Sequence, residues 1–236
     1  MVKNKFVIFS IPFNNLNYNA DRLTKEWITT RMDIFFRYTL KSLRCQTNQN
    51  FEAFLNCDGE SMNIIRELLK EREELPCNIH FVDAKQITAL INQTVKEYEY
   101  FYLVRIDSDN LYHKDFVQIL YDSHPKIETE AFLCQCGYLF DIKTNKLAYS
   151  FHPSPSYYTL IYKTGEYQSG KRYSMTSHKK IITDFKVELL NDYFYITTIT
   201  GENVLFTPRH MTGKMVTGFV EEENKMQTLL NFGLAD

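Results

Sequence analysis

The sequence predicts an α/β fold, a mostly parallel sheet flanked by helices and followed by a β-rich C-terminal half. Three observations carry this. Apolar runs of strand length alternate with amphipathic, helix-length segments through the first half of the 236-residue chain. The first run, Phe6-Val7-Ile8-Phe9 with Ile11, is apolar almost without break, the pattern of a parallel strand buried on both faces. Two of the strands then close on acidic residues just ahead of a helix, where open α/β sheets bind ligands.

The first strand covers Lys5 to Phe13, with Pro12 marking its end. A polar loop, Asn14 to Asn19, leads to a helical period from Asp21 to Arg44, in which Trp27, Met32, Phe35, Phe36, Leu40 and Leu43 form an apolar stripe. Gln46 to Asn50 breaks it. Phe51 to Cys57 alternates as a second strand and ends at Asp58-Gly59, and Met62 to Glu73 is helical. Asn78 to Val82 is a third short strand, followed by helical spacing through Ile87, Leu90, Ile91 and Val95. Tyr100 to Val104 is the fourth strand, and it runs into Arg105-Ile106-Asp107-Ser108-Asp109-Asn110 before a helix over His113 to Tyr121. Right-handed crossovers bring the ends after Phe13, Asp58 and Asp107 to one edge of the sheet. Beyond Tyr121 the segments are β-rich: Ala131 to Cys136, Tyr138 to Ile142 and Lys146 to Phe151, with a hairpin turn over Lys143 to Lys146. A strand over Tyr157 to Tyr162 follows. Phe185 to Leu190 and Tyr193 to Ile199 read as a strand pair across Asn191-Asp192, and the tail as an amphipathic helix through Met226, Leu229 and Leu230. The polar stretch Lys163 to Ser177 reads as a loop able to close as a lid over a ligand, with Lys171 and Arg172 reaching its phosphates. The chain divides into a half over 1–123 and a half over 124–236 within one domain.

Asp107 and Asp109 are the chemical focus. Two carboxylates one residue apart at a strand end suit Mg²⁺ or Mn²⁺, hard cations that keep room for water and phosphate oxygens. The competing reading is local: Asp109-Asn110 makes a turn and Asp107 caps the next helix. Arg105 lies two residues before Asp107 and can face the same side.

This Asp-Ser-Asp resembles the DxD motif of GT-A-type glycosyltransferases. The wider pattern of Trp27, Arg31, Phe35 to Leu43, Gln46, Phe51, Asp58 and Arg105-Ile106-Asp107-Ser108-Asp109 resembles, in the same order, the rhamnosyltransferase-like family of those nucleotide-sugar enzymes. The match is strong over the first half and weak over the second. It implies a GT-A-like fold and a metal-dependent transfer of a sugar, rhamnosyl by analogy, from a nucleotide-diphosphate donor to a glycan or other hydroxyl acceptor. Under it, Pro12, Phe13 and Asn14 meet the nucleotide, Asp58 the base or ribose, and Arg31 the diphosphate through its planar fork. Arg105 and Asp107 complete the donor site, while Asp109 and Asp107 hold Mn²⁺ or Mg²⁺, with His178 or His210 as a third ligand. The proton of the acceptor falls to Glu202, with Asp184 and Asp192 as alternatives. Thr200 stands where the family's second half has a histidine, a departure that bears on the third metal contact and on rhamnose specificity.

Composition excludes other classes. A net charge of −2 offers no basic face for nucleic acid. Five cysteines without paired spacing argue against a disulfide framework, and Cys134 and Cys136 read as core residues on one face of a strand. Phe6 to Phe13 is too short to span a membrane and lacks a signal-peptide pattern, so a cytoplasmic protein is expected, with membrane contact at most peripheral. Two further classes stay open. A sugar nucleotidyltransferase would carry a Gly-rich, basic loop where this chain has Ser10-Ile11-Pro12-Phe13-Asn14. A non-catalytic carbohydrate-binding or assembly protein would keep the fold and show no turnover.

Overall fold

A computed structural model describes residues 3–16, 19–175, 177–201 and 208–234. The first half alternates as expected: β1 (Lys3–Pro12), α1 (Lys25–Arg37), α2 (Thr39–Arg44), β2 (Phe51–Cys57), α3 (Met62–Lys70), β3 (Ile79–Asp83), α4 (Ile87–Thr94) and β4 (Tyr98–Arg105). Then come β5 (Leu111–Tyr112), α5 (Phe116–Asp122), β6 (Ala131–Leu133), β7 (Cys136–Asp141), β8 (Lys146–Phe151) and β9 (Tyr158–Lys163). The chain closes through α6 (Thr164–Gln168), α7 (Ile181–Asp184), β10 (Val187–Leu189), β11 (Tyr195–Ile199), β12 (Val216–Phe219) and α8 (Glu222–Leu230). Among the described residues no helix is long and apolar enough to cross a membrane.

Seven strands form the main sheet in the order β10-β6-β9-β4-β1-β2-β3. Every pair is parallel except those made by β9, which runs antiparallel to both β4 and β6. The unbroken apolar run of β1 is explained by cover on both faces. Val7, Phe9 and Ile11 meet the core under α1, α2, α3 and α5, where Ile28, Met32, Leu40, Ile65 and Phe116 pack. Phe6 and Ile8 meet the opposite core with Ile91 of α4, Tyr167 of α6 and Ile181 of α7. The single helix expected over Asp21 to Arg44 is two helices. Tyr38 leaves helical geometry at φ −121 and ψ −78, and a 3₁₀ turn at Ala20–Leu23 precedes α1.

The β-rich half builds a second sheet in the order β12-β8-β7-β11-β5. The hairpin of β7 and β8 closes as the turn residues predict, with Asn145 at φ 53. The expected strand pair across Asn191-Asp192 does not form. All five residues of β11 are buried, so it needs neighbours on both edges and takes β7 and β5. β10 is partly exposed and takes the edge of the main sheet beside β6. Nor is Ala131 to Cys136 one strand: it passes from the main sheet to the second between Leu133 and Cys136, and Cys134 is buried at the junction.

Two more expectations are corrected. The start of the Lys163 to Ser177 stretch does not lie over the strand ends. Because β9 runs antiparallel to β4, Lys163 lies opposite Tyr100, at the far end of the strand from Arg105. There Tyr167 is buried edge-on against Phe101, the Arg172 guanidinium lies 3.4 Å from the Tyr167 ring centroid, and Lys171 pairs with Glu166. The stripe read in the tail is rotated as well. Met226 and Leu230 are exposed, while Lys225 is buried with its amine on the Asn145 carbonyl and Glu222. Phe232 supplies the apolar anchor beyond the helix end.

The second sheet meets the rest of the fold through aromatic stacks, Tyr112 on Phe116 of α5 at 3.9 Å and Tyr195 on Tyr157, just before β9, at 3.6 Å. Gly137 makes the second stack possible, since a Cβ there would lie 2.4 Å from the Tyr195 ring. Gly137→Ala is therefore expected to destabilise the protein by about 1–3 kcal/mol through overpacking. Gly165→Ala, where a Cβ meets nothing within 4 Å, should be neutral or stabilising by about 0.5 kcal/mol. Urea denaturation of both variants checks the contrast.

Candidate active site

Parallel pairing of β1 with β2 and β4 sends all three strands to the same edge of the sheet. A cleft of about 700 Å³ opens there, between the ends of β1 and β4, the outer face of α1 and the start of β9. Of the residues expected at a donor site, Pro12, Phe13, Asn14, Arg31, Arg105 and Asp107 all line it, as do Asp109 and His178.

Its walls are fixed by hydrogen bonds that the local sequence dictates. Asn14 is buried, and its side-chain amide donates to the Arg22 carbonyl and to Ser61 Oγ while its Oδ1 accepts from the Asp58 backbone N–H at 2.9 Å. It joins the loop after β1 to the end of β2. Asp58 caps the turn at Gly59–Ser61 through the Glu60 N–H and holds the Arg22 guanidinium at 2.9 Å. Asp58 thus stands behind the wall, and Arg22 is the side chain that faces the cleft. Phe13 packs edge-on against Phe81 and Trp27.

The turn after β4 carries the charge. Asn110 N–H closes it on the Asp107 carbonyl, Thr198 donates its N–H to Asn110 Oδ1, and the Thr198 hydroxyl donates to the Asp109 carbonyl. Asp109 is 5 % exposed. Arg31 reaches it from α1, with Nη1 3.1 Å from Oδ2 and Nε 2.9 Å from Ser108 Oγ. Arg105 grips Asp107 at 2.9 and 3.5 Å and also donates to the Ser156 carbonyl. Burial pushes the Asp109 carboxyl above its ordinary range, against the pull of the Arg31 cation. Burial disfavours the Arg105 cation, but the Asp107 carboxylate together with Tyr158, Tyr157 and Tyr112 outweighs it, so its affinity for the proton rises. Opposite the turn, the Tyr157 hydroxyl shares a 2.6 Å hydrogen bond with Thr197 Oγ1.

Other sequence-based assignments meet a different setting or fall outside the described residues. Among the described residues no three His, Cys, Asp or Glu side chains gather as a metal-ligand cluster. His178 shares the cleft, where burial and then the Arg105 cation lower its affinity for a proton. Asp184 is exposed at the end of α7 with its carboxylate on Thr183, and it does not line the cleft, because α7 turns Ile181 into the rear core. Glu202 and Asn203 lie outside the described residues. Arg31 lines the cleft from α1, and sequence reasoning missed that Trp27, Thr30 and Ile34 line it from the same helix. Their spacing marks a second helical stripe beside the core stripe of Ile28, Met32 and Phe35, and it was legible once the helix was placed.

A family model described as "Putative rhamnosyl transferase" matches residues 16–210 of the chain. No curated protein matches it. Among solved structures, the chain is similar to S. aureus TarS 1-349 in complex with UDP-GlcNAc, at 16 % identity over 97 % of this chain and 71 % of that one, with a TM-score of 0.46. For TarS 1-349 in complex with UDP the values are 14 %, 83 %, 60 % and 0.44, so the chain spans about three fifths of that fragment. A cytidylyltransferase from Leptospira borgpetersenii is similar at 10 % identity over 80 % of this chain and 76 % of that one, with a TM-score of 0.41.

The position of His178 generates a test. Arg105 lowers its proton affinity and Asp107 raises it. Arg105→Gln should therefore move the imidazole titration upward, followed by NMR of the ring protons. An unchanged midpoint would mean that the Arg105 cation does not act on it.

Proposed function

This chain belongs to the "Putative rhamnosyl transferase" family, and from that footing we propose that it is a metal-dependent glycosyltransferase using a nucleotide-diphosphate sugar donor, with a rhamnosyl group the first to test. The observation that carries this reading is the pair Asp107 and Asp109, facing a 700 Å³ cleft beside Arg31 and Arg105 at the carboxyl end of β4. The residues fit a hard divalent ion if the donor shares in binding it. Asp109 and Asp107 offer carboxylate oxygens one residue apart, and the diphosphate would supply further oxygens where the described side chains offer no third ligand. When bound, Mn²⁺ or Mg²⁺ supplies Lewis-acid neutralisation of the charge that grows on the leaving diphosphate.

The chain's own residues do the remaining work in this proposal. Arg31 and Arg22 meet diphosphate oxygens from the α1 side of the cleft. Phe13 and Trp27 offer an aromatic wall to the nucleotide, and Asp58 positions Arg22 rather than meeting the base itself. The Tyr157–Thr197 pair borders the space left for the sugar. Glu202 follows β11, whose Thr197 lines the cleft, and we assign it to take the proton of the acceptor hydroxyl. Five free cysteines support a reducing compartment such as the cytoplasm. The acceptor in this reading is a glycan or another hydroxyl compound.

Titration calorimetry with UDP, dTDP and GDP, each with and without Mn²⁺, tests the proposal. One nucleotide should bind at least about tenfold more tightly with metal, and Asp109→Asn should abolish that increment. Equal affinity with and without metal would remove the metal from the account. Binding without hydrolysis or transfer of any matching nucleotide sugar would favour a non-catalytic protein.

A further inference from the structure

Both carboxylates of the Asp107-Ser108-Asp109 turn already hold a guanidinium, but the two pairs are built differently. Arg105 and Asp107 come from one strand end, two residues apart, and Arg105 is fixed a second time by the Ser156 carbonyl at 3.2 Å. Arg31 comes from a different element. Its guanidinium spans Asp109 Oδ2 and Ser108 Oγ from α1, on the helix face that walls the cleft. Its side chain thus borders both the turn and the open space of the cleft. Asp109 is 5 % exposed, so an ionised carboxylate there needs a cationic or hydrogen-bonding partner at all times. A divalent cation entering alone would have to displace Arg31 and leave that guanidinium beside it in a partly buried space, an unfavourable pairing of like charges. A diphosphate removes the conflict. Its oxygens accept the planar fork of Arg31 and at the same time complete the shell of the cation.

We infer that Arg31 is a positioning residue that exchanges partners, holding Asp109 in the donor-free protein and passing to the diphosphate when nucleotide and cation enter together. The inference rests on the nucleotide-diphosphate reading given above. Its consequence is regulatory. The free protein takes up the cation poorly, and cation and nucleotide each strengthen the other by the same factor, as linkage requires. Arg105 remains on Asp107 throughout.

The test follows Mn²⁺ binding to the full chain by electron paramagnetic resonance, alone and with UDP, dTDP or GDP. In the unmodified protein the accepted nucleotide should tighten Mn²⁺ by roughly 10- to 100-fold. Arg31→Met should bind Mn²⁺ alone about tenfold more tightly than the unmodified protein, with the coupling reduced by the same factor. Arg31→Lys keeps the charge without the fork, and its coupling should fall between the two. A measurement on the unmodified protein keeps the test independent of variant folding. The Arg31 Nε–H resonance, assigned by its loss in Arg31→Lys, should shift when Mg²⁺ and nucleotide are added together and stay in place with Mg²⁺ alone. The exchange is overturned if that resonance stays unmoved while nucleotide binds in an Asp109-dependent way, or if Arg31→Met and the unmodified protein take up Mn²⁺ alone equally. Failure of the underlying reading looks different: none of the three nucleotides binds, with or without metal, and both ideas fall.

Discussion

The site depends on how the turn after β4 is tied to its surroundings. On one side, Thr198 of β11 binds Asn110 Oδ1 and the Asp109 carbonyl, so the turn is fixed to the second sheet. On the other, α2 and the residue Gln46 just beyond it grip the chain that follows the turn. Ser42 Oγ accepts the Tyr112 N–H at 3.0 Å, Gln46 Nε2 donates to the His113 carbonyl at 2.8 Å, and Gln46 Oε1 accepts the Val117 N–H at 3.0 Å. These groups are buried or nearly so, and leaving one unsatisfied costs about 1–3 kcal/mol. Because α2 follows α1 after a single break at Tyr38, the helix that carries Arg31 and the turn that carries Asp109 are held in one frame. The main sheet, the second sheet and the α1–α2 pair all meet at this point.

That frame explains the charge arrangement. Removing one partner from a buried ion pair costs about 3–5 kcal/mol, because the remaining charge is stranded. Arg31–Asp109 is the most buried of the cleft's pairs, with side-chain exposures of 17 % and 7 %. Arg22–Asp58 is more open, and its weight lies in aiming Arg22 at the cleft. A buried Asp109 is worth retaining where its carboxylate must be available to a ligand at the right moment. In the proposed exchange, Arg31 meets that need as a movable cation from a neighbouring helix.

The fold was legible wherever burial imposes a period. The unbroken run of β1, the alternation of β2 and the spacing of α3 and α4 all place themselves, since each element is covered on faces that the pattern announces. Legibility ended where tertiary partners decide. Tyr193 to Ile199 has the composition of a strand, yet nothing local says that it joins β7 and β5 rather than the nearby Val187–Leu189. Lys163 to Ser177 is polar by count, and the buried Tyr167 fixes its start far from the cleft. The acid pair and Arg31 line one cleft because residue type and position along the chain coincide there. Asp58 was placed at the correct strand end, but its Arg22 partner, 36 residues earlier, leaves no sequence signal. Asp184 was chosen for its chemistry alone, and α7 directs it to solvent.

The most direct measurement is diffraction at the manganese edge from crystals grown with Mn²⁺ and whichever of UDP, dTDP and GDP binds. The account predicts an anomalous peak against Asp109 at the end of β4, the diphosphate between it and α1, and the Arg31 guanidinium on phosphate oxygens instead of on Asp109. A nucleotide bound away from the β1 and β4 ends, or a peak away from Asp107 and Asp109 with Arg31 still closed on Asp109, would contradict it.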